Sequence, residues 1–280
     1  MLPHNVYGRV RGILILLSGL AITAAHLCGP DAAWGQSPQG SIVGWGERVV
    51  GGDLTGPFTA VAASRYYSLA LQADGSILAW GDNHYGLCDV PAPNTDFVAV
   101  AAGEDHSLGL KADGSVVAWG CAAVFDEGQC DVPAPNTGFV AVAAGADHSL
   151  GLKADGTIVV WGSDGSYQIT NVPAPNTGFI AVAAGRYHSL GLKADGAIVA
   201  WGSNSYDQND VPAPNTGFVS IAEGAAHSVG LKADGSIVAW GDNSFGQTNV
   251  PAPNTGFVAI AAVSSRSLGV KADGSIVAWG

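Results

Sequence analysis

The stretch FVAVAAGADHSLGLKADGTIVVWG, residues 139–162, decides the fold, because the chain from residue 58 onward repeats it six times with small changes. The copies begin at Phe58, Phe97, Phe139, Phe179, Phe218 and Phe257, and each reaches a Trp 22 residues later. Only the connections from one Trp to the next Phe vary in length, between 17 and 20 residues. Blocks of constant length with connections of varying length indicate a rigid repeated unit, which is typical of propellers and solenoids.

Each unit contains short strands. Its apolar residues alternate with a period of two and many are β-branched, which predicts strands at 139–144, 149–154 and 157–161. Asp155-Gly156 supplies the tight turn between the last two. The segment VPAPNT, residues 132–137, recurs in five copies, and its prolines cannot donate to a central ladder, so it belongs at a blade's outer edge or in the link to the next blade. Three to four short strands per unit, repeated radially, predict an all-β fold, a β-propeller.

The first 35 residues do not belong to the repeated fold. In residues 1–35, Arg9 and Arg11 precede an apolar run at 13–27 and small residues follow, which is the plan of a secretory signal peptide. The main alternative is a retained anchor, but the apolar run is shorter than the roughly 20 residues of a spanning helix. We therefore predict a secreted or periplasmic protein with no stable membrane insertion after the leader is cleaved. Residues 36–57 would form a closing strand and its connection, and the repeats span 58–96, 97–138, 139–178, 179–217, 218–256 and 257–280.

Composition narrows the possible functions. With 280 residues, of which 48% are hydrophobic, the chain has ample material for one large domain. Residues 1–35 contain two of its 11 basic residues and one of its 23 acidic residues, so the remainder carries 9 and 22, a net charge of −13. Such a body repels nucleic-acid phosphate, which is bound through Lys and Arg. We expect no nucleic-acid partner.

Three cysteines follow the predicted leader: Cys88, Cys121 and Cys130. An odd number in an exported protein leaves at least one thiol unpaired. Cys121 and Cys130 flank the longest connection, which favours a disulfide between them. Cys88 and Cys130 hold equivalent places in successive repeats, and their pairing, across two blades, is the alternative.

The repeat also carries a resemblance. Its pattern of Ala-Gly-x-x-His-Ser-Leu, then Asp-Gly, then Trp-Gly-Asp-Asn-x-x-Gly-Gln, seen in residues 224–247, resembles the regulator of chromosome condensation repeat over residues 41–280. The resemblance implies a seven-bladed propeller. Known members include the chromatin-bound exchange factor for the Ran GTPase and a secreted bacterial inhibitor of β-lactamases. This chain is similar to the second, exported type in its short units, in the Val-Pro after each Trp-Gly loop and in its lone first Trp-Gly strand, residues 41–46.

The number of blades has two interpretations. The chain has seven Trp-Gly strands, counting Trp45, but only six copies of Phe-Val-Ala-Val-Ala. Either six blades form with one surplus strand, or a seventh blade is incomplete. We favour the seven-bladed type with an incomplete last blade.

No catalytic, cofactor or metal site is predicted. His106, His148, His188 and His227 share one repeated position, but Tyr67 and Arg266 occupy it in the first and last copies, and no zinc-type ligand spacing is present. We expect these histidines to be structural, with ring nitrogens bonded to the neighbouring turn backbone. No nucleophile with its base and no phosphate-binding glycine loop occurs, so the protein is not expected to be an enzyme.

Differences between the copies predict a binding surface. In an up-and-down blade, the turn between the first and second strands opens on the same rim as the loop after the third, and the Asp-Gly turn opens on the opposite rim. The copies differ mainly on that first rim, where Tyr and Arg are residue types favoured at protein interfaces. The predicted partner-binding residues are Arg65, Tyr66, Glu104, Asp105, Asp147, Arg186 and Tyr187. Neutral drift of surface turns is the alternative.

The loops after Trp-Gly carry one aromatic residue each, and we expect these side chains to pack against their own blades. They are Tyr85, Phe125, Tyr167, Tyr206 and Phe245.

These observations lead to one hypothesis and two alternatives. The leading hypothesis is an exported, monomeric, non-catalytic propeller that binds a protein partner through one variable rim. The resemblance implies a sharper form, an inhibitor of an extracellular enzyme. One alternative is a guanine nucleotide exchange factor, and the other is a glycan-active enzyme with a site on the propeller axis.

Overall fold

The structure, a computed structural model, describes residues 40–42, 54–121, 126–163 and 167–280. All regular secondary structure in these ranges is β-strand, as the sequence predicted. The predicted leader, residues 1–35, and Trp45 lie outside the described residues. Two short strands, β1 (Gly40–Ile42) and β2 (Leu54–Gly56), pair antiparallel in a sheet of their own.

Six three-stranded antiparallel sheets follow, one for each repeat, and we call them blades 1 to 6. Blades 1 to 3 comprise β3 (Phe58–Ala63), β4 (Tyr67–Gln72), β5 (Ile77–Gly81); β6 (Phe97–Ala102), β7 (Ser107–Lys111), β8 (Val116–Trp119); and β9 (Phe139–Ala144), β10 (His148–Lys153), β11 (Ile158–Gly162). Blades 4 to 6 comprise β12 (Phe179–Ala184), β13 (His188–Lys193), β14 (Ile198–Gly202); β15 (Phe218–Glu223), β16 (His227–Lys232), β17 (Ile237–Gly241); and β18 (Phe257–Val263), β19 (Arg266–Lys271), β20 (Ile276–Trp279). In each sheet the second strand is central.

The strands of blade 3 agree with the sequence prediction to within one residue. The second begins at His148 rather than at residue 149, because His148 pairs with Gly162 at the far end of the third. The third begins at Ile158 rather than at residue 157, because Thr157 belongs to the turn, where its backbone amide donates to Asp155 Oδ1 at 2.9 Å. Tertiary pairing thus sets the ends of strands whose existence the repeat already indicates.

The hydrophobic core lies between the blades. Phe139, Val142 and Trp161 of blade 3 pack against Leu108 and Leu110 of blade 2, and the same arrangement recurs at the next boundaries. Each blade therefore has two apolar faces, which explains why its third strand lacks a polar side. The first strands of successive blades contact one another, so they lie nearest the axis. Six blades of a β-propeller are described, and a seventh stays a prediction.

Each first strand contains a β-bulge at its second residue. In blade 3, Phe139 pairs with Lys153 and Ala141 with Leu152, which leaves Val140 unpaired between them. A bulge redirects the side chain of its extra residue, and the side chains at this position are exposed. They are Thr59, Val98, Val140, Ile180, Val219 and Val258.

The proline-containing segments cover the outer edges of the blades, as predicted. The side chain of Asn136 accepts a hydrogen bond from the backbone amide of Val116 at 2.7 Å and donates to its carbonyl at 2.8 Å. A side-chain amide thus pairs with both backbone groups of the first residue of this outer strand, and Asn94, Asn176, Asn215 and Asn254 act in the same way on their own blades. This shortens the unpaired edge that would otherwise invite edge-to-edge association.

Candidate functional site

The structure places the predicted binding turns and the loops after Trp-Gly on one rim. The amide of Ser163 donates to the carbonyl of Asp147 at 2.8 Å, and that of Asp82 donates to the carbonyl of Tyr66 at 3.0 Å. The Asp-Gly turns are at the other end of the blades, where the Gly156 carbonyl accepts from the amide of Phe179. We call the first rim the variable rim. Its turns are 64–66, 103–105, 145–147, 185–187, 224–226 and 264–265, and the described parts of its loops are 82–89, 121 with 126–131, 163 with 167–171, 203–210 and 242–249.

Backbone hydrogen bonds join the turns of the variable rim from blade to blade. The Glu104 amide donates to Gly145, that of Ala146 to Arg186, that of Arg186 to Ala225 and that of Ala225 to Ser264, at distances between 2.8 and 3.3 Å. Because these turns connect the first strands, which lie nearest the axis, residues from different blades come close together there. The sequence alone does not show this convergence.

Five of the seven predicted binding residues form one cluster on this rim. Arg186 Nε of blade 4 lies 2.9 Å from Glu104 Oε2 of blade 2, so the ion pair reaches across the turn of blade 3. The Arg186 guanidinium also lies over the ring of Tyr187, 5.1 Å from its centroid. Asp105 and Asp147 complete the cluster, since both interact electrostatically with Glu104 and Arg186.

The cluster has an excess of negative charge. Partial burial raises the pKa of the Asp105 carboxyl, and the nearby Glu104 and Asp147 raise it further. Burial likewise raises the pKa of Asp147, again with a contribution from Glu104. Arg186 opposes both shifts but is a single cation facing three carboxylates. The site is thus suited to receive additional positive charge.

Arg65 and Tyr66 lie apart from this cluster and form a pair of their own. The Arg65 guanidinium lies over the Tyr66 ring, 5.2 Å from its centroid. Both side chains are exposed on the turn of blade 1. The two Arg-Tyr dipeptides therefore repeat the same cation–π contact in blades 1 and 4.

The prediction that the loop aromatics pack against their own blades is wrong for three of them. Phe245 is 70% exposed and Tyr206 is 55% exposed. Tyr167, 40% exposed, stacks on Tyr187 of the next blade, with ring centroids 5.0 Å apart. Tyr85 is half-buried in the core between blades 1 and 2, and Phe125 lies outside the described residues.

Buried glutamines hold Tyr206 and Phe245 outward. The side-chain oxygen of Gln208 accepts from the amide of Tyr206 at 2.8 Å, and that of Gln247 accepts from the amide of Phe245 at 2.9 Å. Each glutamine fills the loop interior and leaves the aromatic side chain at the tip. The sequence signal for this arrangement is a glutamine two residues after the aromatic residue, which occurs after Tyr206 and Phe245 and not after the other loop aromatics.

Each loop is also anchored to the next blade at one backbone carbonyl. The carbonyl of Gln129 accepts from Ser149 Oγ and from Trp161 Nε1, both at 2.9 Å. The carbonyls of Gln208 and Gln247 accept the equivalent Ser and Trp bonds in the following blades. The carbonyl is a main-chain group, so this anchor does not depend on the loop's side chains.

The repeated histidines are structural, and each has a serine partner that the sequence did not predict. Nε2 of His106 lies 2.8 Å from Ser149 Oγ of the next blade. Burial lowers the pKa of His106, and a hydrogen bond with the backbone of Ala146, in the neighbouring turn, has a smaller, opposite effect. A hydroxyl has one proton, and Ser149 donates it to the carbonyl of Gln129, so Nε2–H of His106 must be the donor. The same arrangement joins His188 to Ser228 and His227 to Ser267, and His148 contacts Ser189. Each neutral ring thus links two blades.

Glu223, at the end of β15, was not among the residues predicted from the sequence. Its carboxylate is buried, and in the described structure neither oxygen has a hydrogen-bond partner of good geometry. Its Oε1 lies 3.7 Å from His188 Nε2. Burial raises the pKa of Glu223 well above its ordinary value, with the amide of Gly185 acting in the opposite direction. The signal was present, because the other copies have Ala63, Ala102, Ala144, Ala184 and Ala262 there.

Cys121 and Cys130 form a disulfide, and Cys88 is a free thiol. In the described ranges, no three His, Cys, Asp or Glu residues are grouped so that they could hold a metal ion. Nor does this part of the chain contain a helix long and apolar enough to cross a bilayer.

Comparison with known families adds a sequence match over most of the blades. The Regulator of chromosome condensation (RCC1) repeat matches residues 58–87, 97–129, 139–168, 179–208 and 218–247, together more than half of the chain. Comparison with curated protein sequences gave no significant match.

Several solved structures share the fold. Prp20p from Saccharomyces cerevisiae is 20% identical with a TM-score of 0.68, and the match covers 80% of this chain and 72% of that one. Its structure was described together with its binding properties to Gsp1p and histones. Yeast RCC1 (Prp20) bound to Kap60 matches with 21% identity and a TM-score of 0.66, over 80% of this chain and 70% of that one.

A plant receptor ectodomain is equally similar. The CRINKLY WD40 ectodomain of the Arabidopsis thaliana receptor kinase ACR4 is 24% identical, with a TM-score of 0.63, over 80% of this chain and 81% of that one. At these identities the likeness shows a common fold and nothing about activity.

Proposed function

Since this chain belongs to the regulator of chromosome condensation (RCC1) repeat family, we propose that it is an exported, non-catalytic β-propeller that binds another protein through its variable rim. The observation that carries the proposal is the cluster on that rim. Glu104, Asp105, Asp147, Arg186 and Tyr187 come from three blades and meet at one place. They are also residues that differ between otherwise near-identical copies.

The composition of the rim supports protein recognition over catalysis. Half-exposed Tyr and Arg side chains are favoured at interface hot spots because they combine apolar area with directional polar groups. Tyr167 and Tyr187 stack, and Arg186 is fixed between a ring and a carboxylate, so part of this surface is ordered before binding. Preorganisation lowers the entropy lost when a complex forms.

The structural relatives agree with this proposal in outline. Yeast Prp20p is described with protein partners, Kap60, Gsp1p and histones. A propeller of this fold thus presents surfaces that other proteins bind, and we extend this general role, and none of those partners, to this chain. In its narrower form, the partner is an extracellular enzyme that the rim inhibits.

The test is an affinity capture from the native extracellular fraction with three versions of the protein. One is the natural sequence, and one carries Arg65, Tyr66, Arg186 and Tyr187 replaced by Ala. The matched control carries Val98→Thr, Ile180→Thr and Val219→Thr at exposed bulge positions near the opposite rim, where blade 1 already has Thr59.

We expect the natural protein and the control to capture the same partner and the rim variant to lose it. Equal capture by all three proteins would overturn the proposal. If the captured protein is an enzyme, its activity is measured with and without the purified propeller. Unchanged activity would remove the inhibitor form while leaving the binding role.

A further inference from the structure

The two rims differ in charge far more than the repeat suggests. The variable rim carries eleven acidic residues in its described turns and loops, against three arginines. The acidic residues are Asp82, Asp89, Glu104, Asp105, Asp126, Glu127, Asp131, Asp147, Asp207, Asp210 and Asp242, and the arginines are Arg65, Arg186 and, at the start of β19, Arg266. Eleven acidic residues against three arginines give this rim a net charge of −8, on the side that also carries the exposed aromatic residues.

The opposite rim is nearly balanced, and its cations are already engaged. Its charged residues are Asp74, Asp96, Asp113, Asp155, Asp195, Asp234 and Asp273, with Lys111, Lys153, Lys193, Lys232 and Lys271. Each lysine lies over the Phe that begins its blade, as Lys153 lies over Phe139, 3.5 Å from the ring centroid. Lys153 also donates to the carbonyls of Pro135 and Thr137. These lysines stabilise the blades, and this rim has little net charge to attract a partner.

The variable rim already binds one guanidinium, that of its own Arg186. Glu104 accepts from Arg186 at 2.9 Å, and the Tyr187 ring lies beneath the guanidinium. A carboxylate beside an aromatic face is a favourable site for a cation, because Coulomb attraction and the ring quadrupole act together. Arg186 therefore shows how this surface holds a positively charged side chain.

The loops of blades 4 and 5 contain the same two components. Tyr206 is followed by Asp207, and Phe245 lies three residues after Asp242. Both rings are more than half exposed, and neither loop sequence, 203–210 or 242–249, contains a Lys or Arg. The chain supplies no cation of its own in these loops, where a partner's side chain is free to approach.

We propose that the variable rim binds a cationic segment of the partner protein, rich in Arg and Lys, which lies across the acidic cluster of blades 2 to 4 and the aromatic loops of blades 4 and 5. This inference rests on the proposed function and specifies the chemistry of the partner. The negative rim raises the rate of encounter with such a segment, and the rings and carboxylates hold its side chains.

The test uses two triple variants that change the net charge equally. Asp105→Asn, Asp147→Asn and Asp207→Asn remove three charges from the variable rim. Asp113→Asn, Asp155→Asn and Asp234→Asn remove three from the opposite rim, where Asn keeps the turn because Asn-Gly suits it as well as Asp-Gly does. A further variant, Tyr206→Ala with Phe245→Ala, removes two rings without changing the charge.

Binding is measured by fluorescence anisotropy with a short fluorescein-labelled peptide of alternating Arg and Gly, at about 0.15 M salt. The same peptide with Glu in place of Arg is the negative probe. We expect the variable-rim triple variant to bind the Arg peptide about fivefold or more weakly, and the opposite-rim variant to stay within about twofold of the natural protein. The aromatic variant should bind about threefold or more weakly.

Each result of this binding test either supports the inference or contradicts it. Equal weakening by the two triple variants would show that net charge alone attracts the peptide, and the inference would fail. It would also fail if the natural protein did not bind the Arg peptide, or if it bound the Glu peptide equally well. A partner captured through the variable rim whose contacting segment is not cationic would leave the proposed function standing and refute this inference alone.

Discussion

The imidazole ring of His148 occupies the space that a Cβ atom on Gly145 would need, since such an atom would stand 2.1 Å from Cε1 of the ring. In the other copies, too, a Gly occurs at this position only where the His is present. Blades 2, 4 and 5 pair a Gly with a His three residues later, whereas the copies without this His have Ser64 before Tyr67 and Val263 before Arg266. The Gly is therefore present because the ring packs over it.

This contact predicts the effect of adding one methyl group. Gly145→Ala should lower the free energy of unfolding by about 1–3 kcal/mol, because the ring must leave its position and lose its bond to Ser189. Urea denaturation measures the change. In a His148→Ala background the same substitution should be less destabilising, since the ring is gone and only the carbonyl oxygen of Gly185, 2.7 Å from the added Cβ, still obstructs it. Equal effects in both backgrounds would contradict this explanation.

The buried histidines predict a loss of stability in acid. Burial lowers the pKa of His148 and His188 to about 3 and that of His106 and His227 to about 4. An unfolded chain protonates His near pH 6.5, so the unfolded state takes up more protons below that value. The histidines' contribution to the free energy of unfolding is fully present at and above pH 6.5. It should fall by about 1.4 kcal/mol per pH unit for each such histidine as the pH drops toward the folded-state pKa values.

The contribution of one histidine can be isolated by substitution. His148→Gln should reduce the proton uptake on unfolding between about pH 6 and 4 by roughly one proton. His84→Gln, at an exposed residue in the loop of blade 1, is the matched control substitution. Denaturation curves across this range provide the measurement. The same pH slope for all three proteins would show that the buried rings do not cause the loss.

Glu223 predicts the opposite pH dependence. Its folded-state pKa is raised by burial, so its contribution is most favourable below the unfolded-state value and becomes destabilising as the pH rises. Glu223→Ala installs the residue found at this place in the other five blades, and it should stabilise the protein by about 1–3 kcal/mol at pH 8. Thermal denaturation at pH 5 should show a smaller gain. Destabilisation at pH 8 would mean that the carboxyl has a stabilising partner.

The disulfide predicts a difference between the three cysteines. Cys121 and Cys130 close a loop with a sequence separation of 9, so replacing both by Ser should destabilise the protein by about 2–3 kcal/mol, chiefly through the unfolded state. Cys88→Ser, at the equivalent place in the preceding repeat, should change stability by less than about 0.5 kcal/mol. Denaturation with and without reductant separates the two. An equally large effect of Cys88→Ser would contradict the pairing.

The repeat predicted the strands, the turns and the apolar faces, because these depend on a local residue pattern that occurs in every copy. Which residues of different blades meet could not be predicted in the same way. Glu104 and Arg186 lie two repeats apart in sequence, and only the closeness of the turns near the axis brings them within 2.9 Å. The histidine partners were missed for a related reason, since each bond crosses to a serine in the next blade.

The outward position of Phe245 and Tyr206 was missed because the loops were interpreted by residue type. An aromatic residue usually packs against its own blade, but here Gln247 and Gln208 fill the loop interior instead. Glu223 does not stand out among positions that vary in every copy, because its counterparts in the other five blades are all Ala. Comparing single exceptions at otherwise uniform positions would have found it.

The anchoring of each loop through the main-chain carbonyl of Gln129 and its equivalents has an engineering consequence. A peptide carbonyl survives any substitution, so the tryptophan and serine of the following blade would keep their acceptor if the preceding eight or so residues were randomised. Five such segments lie side by side on a stable frame. The architecture is therefore a natural starting point for a display library, in which recognition is diversified without redesigning the molecule that carries it.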